Sequence, residues 1–599
     1  MTDKNHADTQ WDAIVIGAGL GGMTSAACLA AAGKKTLLLE RYAVMGGCSH
    51  VFRRNKQWEF DVGVHYMGLC GPGGALPALM KGLALDDRIE WLPLDPTGFD
   101  TIRGPDLELK VPAGWDPYLE SLIRTFPKDE KKLRFYIKVM RRLGESLDRE
   151  SVMAGQGSTL SRMTSTMKRA GWAAPFFMMP HAAFLASCGF DPKTLLALSV
   201  QDGALASTPL ELPVGMAAAL LQDFVGGGAW YPRGGGQMFS AGFAEVVESH
   251  GGAIRTNAEV ERILVSGGAV QGLQMKGGEK LLAPIVVSAG DIKKTYEDLV
   301  GFENLSAAMV KKVQKMKMST PLINAFFCVE QDLRQSDNSN YFIIPSWDDA
   351  SSLMSLQRMS KRLLKPSGRT PVEWAMDYAA NQPGYVQCST RRDPANLRSA
   401  PLGHGAVEVQ SLAPYDLELW GISGMDIASG EYRESKQYQQ VKEIILEGFS
   451  HRMEKAYPGS STRVVDAELG SPAAQERFTF SSGGAAFGLR ADWRQSGPFR
   501  PGTKTEIKGL LLAGASTYWG PGTVGSTLSG VHAASVATGR DLLHEMQSGS
   551  VIADKTRMSC WGSDFDPLLA SRGTAARLKQ ENKRNRKKRA EEKNKGGAE

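Results

Sequence analysis

The chain has 599 residues, 42% of them hydrophobic and 22% charged, which is ordinary for a globular protein and enough for two or more domains. No apolar run reaches the length of a membrane span, the polar opening MTDKNHADTQ has no signal-peptide core, and the seven cysteines and nine histidines form no C-x-x-C, H-x-x-x-H or H-E-x-x-H pattern; these features argue against a disulfide framework or a metal and for a reducing, cytoplasmic setting. The net charge of +6 resides in Arg577–Glu599, with ten Lys or Arg and four Glu, so the remaining body is formally neutral and is no nucleic-acid binder.

The first elements come at once, in "AIVIGAGLGGMTSAACLAAAGKKTLLLE". Ala13–Ile16 reads as a buried parallel strand, Met23–Ala32 as a helix stopped by Gly33, and Thr36–Leu39 as a second strand. Gly17, Gly19 and Gly22 have G-x-G-x-x-G spacing: the first for a tight turn, the second for backbone approach to a pyrophosphate, the third for close helix–strand packing. Glu40, about 20 residues past the glycines, suits a ribose hydroxyl pair. The order and spacing agree throughout, so the unit binds a dinucleotide. A glycine pair, Gly46–Gly47, lets further backbone approach an extended ligand.

Downstream, "GGAWYPRGGGQMFSAGFAEVVESHGGAIRTNAEVERILVSGGAVQGLQM" predicts a helix from about Met238 to Ser249, then strands Ala253–Arg255, Val260–Val265 and Val270–Met275 with a turn at Gly267–Gly268. Ile285–Ser288 reads as a buried strand. "KGLLLAGASTYWGPGTVGSTLSGVHAASVATGRDLL" predicts strand Leu510–Ala513, a glycine loop and a helix from about Gly525 to Leu543.

Taken together these motifs resemble the FAD-dependent phytoene desaturase, carotenoid isomerase and retinol saturase superfamily, within the amine-oxidase-like flavoproteins. "GCSHVFRRNKQWEFDVGVHYMG" and "GAWYPRGGGQ" look most like retinol saturase, and "GASTYWGPGTVGSTLSG" more like the carotenoid enzymes. The resemblance implies an α/β fold: a Rossmann-like FAD-binding domain with an interleaved substrate domain. It implies Gly17, Gly19 and Gly22 at the pyrophosphate, Glu40 at the adenosine ribose, and Arg41 and Gly47 beside the phosphates. By the same carry-over, the Val260 backbone meets the adenine, Gly514 lies near the ribityl phosphate, and Val524 and Gly525 approach the isoalloxazine. Many flavoproteins of this fold carry an acid where this chain has Ala515, so backbone or Ser516 must replace it. No second G-x-G-x-x-G unit stands between a strand and a helix, which leaves the electron donor or acceptor unassigned.

The implied division is 10–94, 226–300 and 471–548 for the FAD-binding domain, 95–225 and 301–470 for the substrate domain, and 549–599 as a basic, disordered tail. Lys168–Phe190, "KRAGWAAPFFMMPHAAFLASCGF", reads as an aromatic and Met-rich helix pair split by Pro175 and Pro180, or as a surface that dips into a membrane. The expected function is an FAD-dependent oxidoreductase saturating, desaturating or isomerising C–C bonds of an apolar isoprenoid or polyene, a carotenoid or retinoid for example, with peripheral membrane contact. His65 in "GVHYMG" is the candidate proton donor. The rivals are a flavin amine oxidase and a non-catalytic prenyl-protein escort of the same fold.

Overall fold

The computed structural model describes residues 10–147, 159–348 and 368–575. Ala13–Ile16 is buried along its whole length and sits at the middle of a five-stranded, all-parallel sheet. The order across that sheet is Leu510–Leu512, Val286–Ser288, Ala13–Ile16, Thr36–Leu39, Ala253–Arg255. These strands are apolar runs rather than alternating ones because both faces are covered. On one face lie the helices Leu20–Ala31, Gln237–Ser249 and Gly522–Thr538. On the other lies an antiparallel three-stranded sheet, Val260–Ser266, Ala269–Met275 and Lys280–Leu282, packed through Ile263, Val270 and Leu273.

Small residues let the first and last of those helices touch. A Cβ at Gly530 would lie 2.3 Å from the Gly21 carbonyl oxygen, and the Ser25 hydroxyl lies 3.1 Å from the Gly530 carbonyl, to which it donates. The helix expected over about Gly525–Leu543 is two helices. Gly522–Thr538 ends where Gly539 takes φ +71°, and Asp541 caps a new helix, Leu542–Gln547. A left-handed glycine is the common way to end a helix, and here it falls inside the predicted span.

A seven-stranded sheet lies beside this body, in the order Val464–Gly470, Leu322–Val329, Gly405–Leu412, Gly384–Cys388, Asn340–Ile343, Asp100–Gly104, Leu107–Val111. It is antiparallel except where Asn340–Ile343 runs parallel to Asp100–Gly104. Strand alternation separates its two faces. Ile323, Ala325, Phe327, Val386, Val407 and Val409 point one way, into a core closed by the helices Pro371–Asn381 and Lys436–Ala456. Their neighbours Asn324, Phe326, Tyr385, Gln387, Glu408 and Gln410 point the other way. A third core, built on Glu130–Ser146 and the helices after it, fills the helical lobe at the edge of this sheet.

One expectation needs correction. The stretch 549–575 is no free tail but a strap over the nucleotide-binding body. Arg53 forms paired 2.7 Å bonds with both Asp566 carboxylate oxygens, the Met45 amide donates to the Ser571 carbonyl at 2.9 Å, and the Ser559 amide donates to Glu245 at 2.7 Å. The basic segment Arg577–Glu599 lies outside the described residues. Composition, dominated by that segment, hid the docking residues in front of it.

Candidate active site

The three fingerprint glycines meet three different demands. Gly17 has φ +89°, which an L side chain avoids. A Cβ at Gly19 would meet nothing within 4 Å, since this backbone faces open cavity. At Gly22 a Cβ would lie 1.9 Å from the Gly17 oxygen, so Gly22 is the packing glycine. The helix that starts at Leu20 points its N-terminus at the same opening, a setting suited to phosphate. The Gly46–Gly47 pair completes the rim: the Gly46 amide donates to the Ala18 carbonyl at 2.8 Å, and Gly47 stands over the Gly19 Cα.

Glu40 accepts from the Ala18 amide at 2.8 Å and the Tyr42 amide at 2.7 Å, one on each oxygen, leaving a lone pair on each for a diol. Burial raises its pKa, and those amides oppose the shift. Arg41 stacks on Phe480 at 4.6 Å and donates to the Arg477 carbonyl at 2.9 Å. On the far side, Arg500 binds the carbonyls of Leu489, Ala515 and Thr517 and so shapes the loop after Leu510–Leu512. Burial lowers the Arg500 pKa to about 10. Where an acid is absent at Ala515, the Ser516 hydroxyl accepts from the Leu489 amide at 3.2 Å.

All of this borders one cavity of about 1130 Å³, more than the roughly 300–1,000 Å³ of a typical small-molecule pocket. Gly17, Gly19, Glu40, Arg41, Gly47, Val260, Gly514, Val524 and His65 line it. Gly22 and Gly525 do not line it; both are packing glycines, and a Cβ at Gly525 would lie 2.5 Å from the Gly520 carbonyl. The rim at Gly19, the paired lone pairs of Glu40 and the length of the groove fit FAD. The cavity continues past this groove between the seven-stranded sheet and the helical lobe, where Met163, Met167, Phe177, Met178, Met216 and Phe224 form the wall.

His65 stands where the groove meets this apolar end. It is 9% exposed, with Gln387 Nε2 at 2.7 Å from Nδ1, Gln410 Nε2 at 2.5 Å from the other ring nitrogen, and Glu408 Oε2 at 3.4 Å from Nδ1. Burial first, then the charge of Arg392, holds its pKa well below the usual histidine range, so the imidazole is neutral. A neutral imidazole donates at one nitrogen and accepts at the other, so one of the two amides turns its oxygen to the ring. Beside it the Tyr66 and Tyr385 rings stack 6.0 Å apart, and Tyr66 lies 4.3 Å from Phe224. Tyr66 donates to Asp100, which also accepts from Asn340 at 2.9 Å and Gln201 at 2.8 Å.

The sequence reading did not find Tyr385, Gln387, Glu408, Gln410 or Arg392. For the first four the signal is faint but present in "GYVQC" and "GAVEVQSL", where polar residues recur at every second position of largely buried strands; Arg392 lies outside both. Gln387 pairs with Glu408 and Tyr385 with Gln410 across the two strands, so all four share one face.

A groove for a flavin dinucleotide opening onto an apolar chamber defines a flavoprotein oxidoreductase. The chain belongs to the flavin-containing amine oxidoreductase family, whose model matches residues 20–382. It is 24% identical over 553 residues to the all-trans-retinol 13,14-reductase of Rattus norvegicus, covering 90% of this chain and 87% of that protein. It is 25% identical over 533 residues to prolycopene isomerase 2 of an Oncidium hybrid cultivar, covering 87% and 83%. An oxidoreductase structure from Methanosarcina mazei shares the fold, with a TM-score of 0.56 at 19% identity over 87% of this chain and 99% of that one. The protein is an FAD-dependent oxidoreductase, and the resemblance read from its motifs holds. Among the described residues no helix is long and apolar enough to cross a membrane, and no cluster of His, Cys, Asp or Glu is placed to hold a metal ion.

Proposed function

We propose that this enzyme acts on C–C bonds of an apolar isoprenoid or polyene, saturating, desaturating or isomerising them. The observation that carries the reading is the Met- and Phe-walled chamber continuous with the dinucleotide groove. The similarity to a retinol reductase and a prolycopene isomerase supports the same substrate class. The Met-rich wall favours an extended apolar chain over a small cationic amine. A non-catalytic escort has no need of the full fingerprint ending in Glu40.

In this reading Gly17, Gly19, Arg41 and Gly47 would hold the phosphates of FAD, Glu40 its adenosine ribose and the Val260 backbone its adenine, with Gly514 near the ribityl phosphate and Val524 beside the ring system. Bound, it supplies two-electron chemistry. The protein orients the polyene in the chamber and excludes water, and His65 exchanges a proton with a substrate carbon. The test is anaerobic reoxidation of the photoreduced holoenzyme by a panel of carotenoids, retinoids, quinones and amine-derived imines. Rapid reoxidation by a polyene, with a product altered at a double bond, is the expected result. Peroxide release with amines and no polyene turnover overturns the reading.

A further inference from the structure

Behind His65, on the side away from the cavity, lies a carboxyl group with no evident structural duty. Glu408 is fully buried, in the middle of a strand of the seven-stranded sheet, and neither of its oxygens makes a hydrogen bond of good geometry. The Gln387 side chain and the Asp61 backbone act on it as donors without closing a bond of good geometry; a buried carboxyl so weakly held is costly, and the cost calls for an explanation. Its surroundings are His65, with Nδ1 at 3.4 Å from Oε2, the paired Gln387 side chain, and Phe326 on the other neighbouring strand. The charged and titratable groups that act on it are Asp61, Arg392 and Tyr385.

The ring has an inner and an outer side. Gln410 borders the cavity with His65, whereas Gln387 and Glu408 do not. Nε2, beside Gln410, is therefore the outer nitrogen, and Nδ1 faces the buried carboxyl.

We propose that Glu408 is the proton reservoir for His65, a neutral acid held behind the ring that resupplies Nδ1 when Nε2 gives its proton to a substrate carbon. The inference rests on the polyene reading above and deepens it. Saturating a double bond adds a hydride to one carbon and a proton to its neighbour. The hydride comes from the two-electron-reduced cofactor. The proton comes from His65 Nε2–H; the O–H bond of Glu408 breaks, a new N–H bond forms at Nδ1, and the ring ends neutral. Glu408 is left as a carboxylate in the field of the Arg392 guanidinium; between turnovers a solvent proton enters at Nε2, on the cavity side, and the Nδ1 proton returns to Glu408. Burial, followed by the negative charge of Asp61, keeps the resting carboxyl protonated well above the usual carboxylate range, and Arg392 opposes that shift. At rest Gln387 Nε2, at 2.7 Å, is the nearer partner of Nδ1 and Glu408 stands at 3.4 Å; the transfer requires Gln387 to yield the Nδ1 lone pair to the Glu408 O–H, a tightening of the kind catalytic hydrogen bonds undergo in the substrate complex.

The test is infrared spectroscopy of the flavin-loaded full chain near neutral pH, followed by kinetics. Wild type should show a carboxylic-acid C=O band that E408Q lacks and D61N keeps. E408Q should bind flavin normally, keep KM within about twofold and lose roughly a hundredfold in kcat, the lower end of general-acid contributions. If E408Q loses flavin through misfolding, H65Q carries the test, because the Glu408 band should remain and shift in frequency. A band that survives in E408Q, an unshifted band in H65Q, or wild-type turnover by E408Q overturns the reservoir. If no polyene is turned over yet the band is lost in E408Q and shifts in H65Q, the acid behind His65 stands and the substrate assignment falls.

Discussion

A single motif, G-x-G-x-x-G, imposes three separable constraints on this chain, and substitution can tell them apart. Gly22→Ala forces a Cβ to within 1.9 Å of the Gly17 oxygen, so apo and holo protein should both lose about 1–3 kcal/mol or more in denaturant unfolding. Gly19→Val meets open space, so the apoprotein should stay within about 0.5 kcal/mol of wild type while flavin absorbance disappears. A second residue-level prediction concerns acid. Burial raises Asp61 and Asp100 from the ordinary 3.8 to about 6. The folded state thus holds protons more tightly than the unfolded one. That contribution is complete below 3.8 and is lost as pH rises through about 6. Unfolding midpoints taken across this window should fall less steeply with pH in Asp100→Asn than in wild type. At this scale Gly17, Gly19 and Glu40, which the fold brings to one cavity wall, were legible from local spacing. Glu408 and Arg392 were not, because their meaning depends on strands brought together from distant parts of the chain.

Among the elements, the stretch from Lys168 to Phe190 shows where sequence reasoning ran out. Its composition offered a buried helix pair or a membrane-dipping surface, and the folded stretch is buried on one side and exposed on the other. A helix, Thr159–Ala170, passes into a 3₁₀ turn, Gly171–Phe176, and then into His181–Ser187. Phe177 and Met178 face the chamber, and Gly215 leaves room for the Phe177 ring. Trp172 points outward, 49% exposed, with Lys138 above the indole at 5.4 Å, and Phe135, 42% exposed, meets Phe176 of the same stretch edge-on at 6.1 Å. Periodicity could not separate these faces, because a 3₁₀ turn and two prolines break the helical repeat. Phe177→Ala should raise KM for a polyene about tenfold through roughly 1–2 kcal/mol of lost burial, with flavin content unchanged. For the outer face, liposome sedimentation is the check. Anionic vesicles should pellet the protein at low salt, and Trp172→Ser with Phe135→Ser should remove the part of the binding that persists at high salt. Equal pelleting of that variant at high salt would exclude this face as the docking site.

At the level of the whole molecule, the strap 549–575 belongs to the body. A chain ending after Thr574 or Ala575 should retain the wild-type unfolding midpoint and its flavin. A chain ending after Ser548 loses the charge-assisted bonds between Arg53 and Asp566 and should be less stable by about 3 kcal/mol, since such bonds contribute about 1.5–3 kcal/mol each. The α/β class and the parallel strands were readable because each buried strand is a compact apolar run. The seven-stranded sheet was not, since its strands alternate and their pairing skips along the chain. The parallel sheet also has a consequence in time. Leu510–Leu512 pairs with Val286–Ser288, so the last strand of the cofactor-binding sheet is synthesised some two hundred residues after its partner. At about 5–20 residues per second, a nascent chain carries an open sheet edge for roughly ten to forty seconds. Through that interval the sheet lacks its last strand and the groove lacks the wall that Gly514 and Val524 supply, so the site for the pigment is completed only near the end of synthesis.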